Sequence, residues 1–449
     1  MTREEILEKI EKLLQNHDIA GIREACSHLE PIDLAEMLAE VPQETQVMLF
    51  RILPKDTAAD TFAEMDPEEQ QRLLGNFTDQ EVKDVLAEMG TDDAVDMLEE
   101  MPANVVRRVL ANANPEDRRD INALLKYPED SAGAVMTTEF VKLRASMTVN
   151  EAIRWIQAHG DESEDVYTCY VTDDSQKLQG MITVRDMLLC KKNVAVSKIM
   201  DRDVIHVHTT DDREIAAKYF DRYDLTTLPV LDNDNRLVGI ITVDDAIDVM
   251  TEETTEDFQK IAGTTPEDQP YLKTSVEQMA KNRIVWLLVL MISDMISGTI
   301  LGSFEQALTT LPILITFIPM LTDTGGNAGS QSSTLVIRGI ALREIKVADA
   351  LKVWWKELRV ALLCGVVLSA FNYVRIRIMY PGREMVALTV AAAMLCTVIM
   401  AKTIGGVLPL LATKLKMDPA LMASPLITTI VDAGSLLIYL NVAKALLGV

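Results

Sequence analysis

Residues 386–401 read VALTVAAAMLCTVIMA. No charge interrupts the run and no polar face recurs at helical spacing. A helix here is apolar all round, which suits a membrane far better than a soluble surface. Four similar runs accompany it. The five lie at about 284–304, 308–338, 357–380, 385–412 and 424–446, each near or above the ~20 residues that cross a bilayer as a helix. They predict a transmembrane domain over 281–449 with five spans. The loop between spans two and three holds Arg338, Arg343, Lys346, Lys352, Lys356 and Arg359, and the loop between four and five holds Lys414 and Lys416. Basic loops belong inside. That puts the N-terminus in the cytosol and the C-terminus outside, although Arg375, Arg377 and Arg383 then fall on the outer side.

The remainder is of opposite character. The chain has 449 residues and a net charge of −25. The acids concentrate before Tyr271, while the apolar part is mildly basic. An acidic front half repels nucleic acid and anionic lipid surfaces and attracts cations. Nucleic acid is therefore not an expected partner. The five cysteines form no CxxC pair and the five histidines no HExxH, so neither a disulfide framework nor a zinc site is expected. The opening MTREEILEKIEKLL reads as a charged amphipathic helix without a signal-peptide core.

Residues 1–130 contain a repeat. Leu38, Phe50, Phe62, Leu74, Leu86, Leu98 and Leu110 stand 12 apart and open the phrases LAEVP, FRILP, FAEMD, LGNFT, LAEMG, LEEMP and LANAN. Such a period fits one short helix plus a turn, stacked into a superhelix around a continuous seam. Residues 131–252 change pattern. Two β-rich units start near Met136 and Met200, and each carries G-h-h-T-V-x-D, at Gly180–Asp186 and Gly239–Asp245. This tandem resembles a pair of cystathionine-β-synthase (CBS) domains. Residues 253–280 are a polar, partly helical linker.

Ionisable groups inside membrane segments are functional candidates. Asp432 sits in PLITTIVDAGSLLIYL, without a Lys or Arg nearby, one turn after Thr428 and Thr429. A second stretch, FIPMLTDTGGNAGSQSSTLVIRG over 317–339, combines Pro319 with Gly325, Gly326 and Gly329 and with the oxygens of Asn327, Ser330 and Gln331. It reads as a helix broken at Pro319 whose freed carbonyls suit a hard cation.

Helical repeat, CBS pair, linker and five spans, together with TGGNAGSQSSTL and DPALMASPLITTIVDAG, resemble the MgtE magnesium-channel family along the whole chain. The resemblance implies a multidomain membrane protein: an all-α superhelical N domain, an α/β tandem CBS pair and an α-helical transmembrane domain. It implies a homodimer in the inner membrane, in contact with lipid, with the pore on the two-fold axis. Asp432 would supply the selectivity acid, with Asn327, Thr428, Gly325 and Ser330 beside it. It also implies a cytosolic Mg²⁺ sensor among Asp92, Asp96, Asp212, Glu214, Asp224, Asp245, Asp248, Glu253, Glu256, Asp257 and Asp418, which closes the pore when loaded. The CBS module implies ATP on Asp186 and Arg185. Asp244 replaces that arginine in the second turn, so one nucleotide site per chain is expected.

Asp294 and Asp323 depart from the family pattern, and they motivate an alternative: a Na⁺- or proton-coupled exporter of divalent cations. An enzyme is not expected, because the sequence has neither a P-loop nor a nucleophile elbow.

Overall fold

The computed structural model describes residues 10, 12, 13, 16, 18–267, 269 and 271–448. The expected N-terminal amphipathic helix lies largely outside them. The chain divides into two units, residues 1–251 and 252–449.

The first unit opens with short helices: α1 (Ile19–Cys26), α2 (Pro31–Ala39), α3 (Gln43–Ile52), α4 (Lys55–Ala63), α5 (Pro67–Asn76), α6 (Asp79–Leu86), α7 (Thr91–Glu99), α8 (Ala103–Asn112) and α9 (Pro115–Leu124). From α2 to α8 they keep the 12-residue period. Each phrase marks the end of one helix. Its first residue (Leu38, Phe50, Phe62, Leu74, Leu86, Leu98) is buried, and so is the fourth (Leu53, Met65, Phe77, Met89, Met101) in the turn that follows. Proline stands in the first turn of α2, α5 and α9, where no N–H is needed. A Thr78–Glu81 capping box starts α6. The Phe50, Phe62 and Phe77 rings cluster with centroids 5.1–6.1 Å apart. Phe62→Ala should therefore cost about 3–5 kcal/mol, read as a lowered unfolding midpoint. A change near zero would show that the seam does not hold the superhelix.

Two three-stranded sheets follow. β1 (Phe140–Arg144) runs parallel to β2 (Asp165–Thr172), which pairs antiparallel with β3 (Leu178–Thr183). β4 (Val207–His208), β5 (Thr227–Leu231) and β6 (Leu237–Thr242) repeat that arrangement. Helices α10 (Val149–His159), α11 (Val184–Leu189), α12 (Arg213–Tyr223) and α13 (Val243–Ile261) complete the pair. The repeats exchange leaders. Thr137, ahead of β1, trades N–H···O bonds of 2.8 and 3.0 Å with Ile240 of β6, and Asp201, ahead of β4, trades two of 2.8 Å with Met181 of β3. This explains the glycine of each motif. A Cβ at Gly180 would stand 2.4 Å from the Asp201 carbonyl oxygen, and one at Gly239 2.7 Å from that of Thr137.

The second unit is helical: α14 (Val276–Ser303), α15 (Glu305–Thr310), α16 (Ile318–Ala341), α17 (Ala350–Met379), α18 (Glu384–Lys414) and α19 (Ser424–Leu447). Among the described residues four helices, α14, α17, α18 and α19, are long and apolar enough to cross a membrane, where the sequence predicts five. The fifth, α16, has 24 residues; its run of Thr, Asn, Gln and Ser makes it less apolar. Its backbone also corrects an expectation. The predicted span 308–338 is interrupted just ahead of Pro319, by a 3-10 turn over Pro312–Phe317, but from Ile318 onward, with Pro319 in the first turn, the glycine stretch is regular helix rather than loosened backbone. The glycines serve packing instead. A Cβ at Gly405 of α18 would lie 2.2 Å from the Gly329 carbonyl oxygen. Small residues let helix backbones approach this closely.

Candidate functional site

The first unit encloses an acidic cavity of about 430 Å³. Asp92, Asp93, Asp96 and Glu100 come from α7 and its end, Asp60 and Glu64 from α4 and its end, Glu164 from the segment before β2, and Asp244, Asp245 and Asp248 from α13. Asp92 and Asp93 occupy the first turn of α7, and Asp244 and Asp245 that of α13. Helix N-termini favour negative charge, which offsets part of the cost of crowding. The rest shows in proton affinity. Burial first, then Glu164 and Glu139, raises the Asp92 carboxyl. Burial and then Asp92 raise Asp245. Burial followed by acidic neighbours also raises Asp93, Glu164, Asp60, Glu64 and Asp248. Among the described residues no three acids converge closely enough to ligate one bare ion. The cavity suits a cation that keeps its water, as Mg²⁺ does.

Of the expected sensor acids, Asp92, Asp96, Asp245 and Asp248 line this cavity. The others do not. Asp212 caps α12 by accepting from the Glu214 N–H at 2.8 Å, Glu214 pairs with Lys218, and Asp224 closes α12 in a left-handed conformation. Glu253, Glu256 and Asp257 lie further along α13. Lys260 Nζ stands 2.5 Å from Glu256 and 2.7 Å from Asp418. Those two acids thus share a cation that the chain itself supplies. Burial works against the Lys260 charge, but its bonds to Asp418 and Glu256 prevail and raise its proton affinity.

Asp60, Glu64, Asp93, Glu100, Glu164 and Asp244 also line the cavity but are not among the expected sensor acids. The doubled acids at Asp92–Asp93 and Asp244–Asp245 were the available signal.

In the second unit α16 has two faces. Gly325, Gly326, Ala328, Gly329, Ser332 and Ser333 are buried, while Asp323, Asn327, Gln331 and Thr334 form an open polar stripe at helical spacing. Gly325 faces inward: a Cβ there would lie 2.8 Å from Thr397 and 2.9 Å from Ser435 Oγ. Gly326 abuts Thr428, whose Oγ1 is 3.5 Å from Ser330 Oγ. Asp432 is half-buried, and its Oδ1 is buried without a hydrogen-bond partner. Asp294 and Asp323 stand near enough for their charges to bear on it.

At the first CBS turn Asp186 and Arg185 are exposed, and Asp186 Oδ2 accepts from Thr183 Oγ1 at 2.6 Å. Thr242 and Asp245 repeat that bond at 2.5 Å in the second turn. Asp245 faces the acidic cavity, so one motif serves two settings.

Comparison with known proteins agrees with this architecture. Residues 29–130 match the MgtE intracellular N domain, 132–192 and 196–252 the CBS domain, and 318–442 MgtE, described as a divalent cation transporter. The chain is 36% identical over 447 residues to the magnesium transporter MgtE of Thermus thermophilus, covering 99% of each chain. It is 31% identical over 445 residues to that of Bacillus subtilis, covering 99% of this chain and 98% of the other. Among solved structures it is similar to the cytosolic domain of the Mg²⁺ channel MgtE in complex with ATP, at 34% identity and a TM-score of 0.52 over 54% of this chain and 99% of that one. It is also similar to the soluble part of a magnesium transporter, at 31% identity and a TM-score of 0.54 over 56% and 99%. That family transports ions and is not a family of enzymes. Acidic cavity, CBS pair and polar-striped helix unit thus fall in one line of descent, and the chain belongs to the MgtE family of divalent cation transporters.

Proposed function

We propose that the chain is a magnesium channel that takes up Mg²⁺ across the inner membrane and closes when cytosolic Mg²⁺ fills the acidic cavity. The single observation that carries the ion path is the Asp432 carboxylate, with a buried, unpartnered oxygen beside Thr428 and the open stripe of α16. Mg²⁺ gives up its waters reluctantly. Amide, hydroxyl and carboxylate oxygens at this spacing hold it hydrated and let it leave. A second copy facing the stripe across a two-fold axis would double the carboxylates, so a homodimer embedded in lipid is the assembly we infer. The N-terminus lies in the cytosol and the C-terminus outside.

Gating follows from repulsion. The empty cavity crowds carboxylates and favours separation of α4 and α7 from α13; a hydrated cation replaces repulsion with bridging and shifts the population to the closed form. Sensing rests on the acids that line the cavity. Protons and Mg²⁺ compete there. Because the folded carboxyls are raised, the folded cavity binds more protons than the unfolded chain. Its stability without Mg²⁺ is fully present below the ordinary carboxylate range of about 4 and falls as pH rises from there through the raised values. Mg²⁺ binding should therefore release protons at pH 6.5 and fewer at pH 8, with affinity rising between them. Calorimetry in buffers of different ionisation enthalpy checks this, and binding without proton release refutes it.

ATP is proposed to modulate the channel from the first CBS turn, as the ATP-bound relative suggests. Asp186→Ala should weaken ATP binding at least about tenfold, the loss of one hydrogen bond or more to a charged group. Unchanged affinity in calorimetry places the nucleotide elsewhere.

A Na⁺- or proton-coupled exporter is the second reading, favoured by the charges of Asp294 and Asp323 beside Asp432. Liposomes without Na⁺ or pH gradients, with Mg²⁺ varied on the cytosolic face, separate the two. Passive flux that stops as Mg²⁺ rises fits the channel. Flux only under a gradient fits the exporter.

A further inference from the structure

Behind the open stripe of α16 lies a charged junction that the ion path does not use. Lys402, within apolar α18, is 5% exposed. Its Nζ donates to the Ala328 carbonyl at 3.4 Å and to Ser332 Oγ at 3.3 Å. Ser332, 1% exposed, donates in turn to Glu357 Oε2 of α17 at 2.6 Å. Two glycines make room. A Cβ at Gly405 would meet the Gly329 carbonyl oxygen, and one at Gly406 would stand 2.9 Å from Glu357 Cγ. Three helices thus meet at one hydroxyl, which accepts from an ammonium and donates to a carboxylate.

Burying a lysine is costly unless it is paired and hydrogen-bonded, and in a membrane unit such a group is a functional candidate. Its place indicates the task. Ala328 and Ser332 form the back of one α16 turn, and Asn327 and Gln331 form its open front. A clamp on the back fixes the depth and rotation of those two amides.

We infer that Lys402, through Ser332 and Glu357, is a positioning residue that makes the ion path discriminate between small and large divalent cations. The inference rests on the ion-path reading above. Mg²⁺ demands near-ideal octahedral geometry, whereas Ca²⁺ accepts variable geometry and more ligands. Oxygens held at fixed spacing favour the first; loosened ones admit the second. The clamp itself never touches the ion, so its loss changes selectivity more than conduction.

The test uses the full-length protein in liposomes, with Mg²⁺ and Ca²⁺ flux measured on the same preparations. Lys402→Met should lower the Mg²⁺/Ca²⁺ flux ratio at least fivefold. Because Lys402→Met leaves the Ser332–Glu357 bond without the ammonium at its junction and can misfold, the double variant Lys402→Met with Glu357→Met is made alongside. It should melt near the wild type yet keep the lowered ratio. Ser332→Ala removes the shared hydroxyl alone and should lower the ratio in the same direction. A wild-type ratio in the double variant and in Ser332→Ala overturns the inference, as does lowered stability with an unchanged ratio. Asp432→Ala is run in parallel: if it conducts normally, the ion-path reading itself has failed and takes this inference with it. If it is silent while the clamp variants discriminate like the wild type, only the clamp is refuted.

Discussion

Liposomes carrying Asp432→Ala should pass Mg²⁺ at least ~100-fold more slowly than the wild type, because one carboxylate and a divalent ion ~5 Å apart attract by about 7 kcal/mol at an effective dielectric of ~20, and less than half of that is two orders of magnitude. Asn327, Gln331 and Thr428 are neutral, which leaves Asp323 of the stripe and Asp294 as the remaining charges, neither of them at the position of Asp432. Asp432→Asn, which keeps shape and loses charge, should fall nearly as far. The measurement is flux at saturating outside Mg²⁺, beside a gel-filtration profile showing an intact fold. Flux within twofold of the wild type would remove Asp432 from the path.

The second large effect is on closure, and its sign in the absence of Mg²⁺ is the informative part. Asp92→Asn combined with Asp245→Asn should raise the cytosolic Mg²⁺ needed for half-closure at least tenfold. The same pair should make the Mg²⁺-free protein more stable, by about 1–3 kcal/mol, since it deletes two crowded, desolvated charges and keeps hydrogen-bonding amides. A scaffold role predicts the reverse: lower stability and unaltered closure. Removing residues 1–128, which carry Asp92, Asp93 and Asp96, should likewise leave a channel that shuts poorly at high Mg²⁺. Flux against cytosolic Mg²⁺ and a thermal melt in chelator decide between them.

Much of the fold is legible in local patterns. The 12-residue phrases give the superhelix because their first and fourth positions both point into the seam. The apolar runs give the membrane unit, and Asp432 stands out because nothing nearby in sequence can neutralise it. The cavity is less legible. Asp60, Asp93, Glu164 and Asp244 come from elements far apart in the chain, and each alone reads as a solvated surface acid. The α16 glycines mislead for a different reason: their low helix propensity suggests a break, but packing against α18 and α19 overrides it. Lys402 escapes notice because one cation in an apolar run resembles a boundary. The glycine pair at 405–406 that makes room for its partners is visible only as a close approach in space.

The exchanged leaders of the two CBS repeats bear on how this region assembles. Each repeat borrows its outermost hydrogen bonds from a segment belonging to the other, so neither can complete its sheet alone. Thr137 and Ile240 lie 103 residues apart and Met181 and Asp201 20, and the loops they close must form before either sheet is finished. The repeats should therefore behave as one cooperative unit in native-state hydrogen exchange, with the amides of Thr137, Met181, Asp201 and Ile240 protected to the same opening free energy. A single repeat expressed alone should leave its edge strand open to pairing with another chain. Division of the 131–252 pair between residues 192 and 196 should yield two aggregating halves that become soluble only when made together.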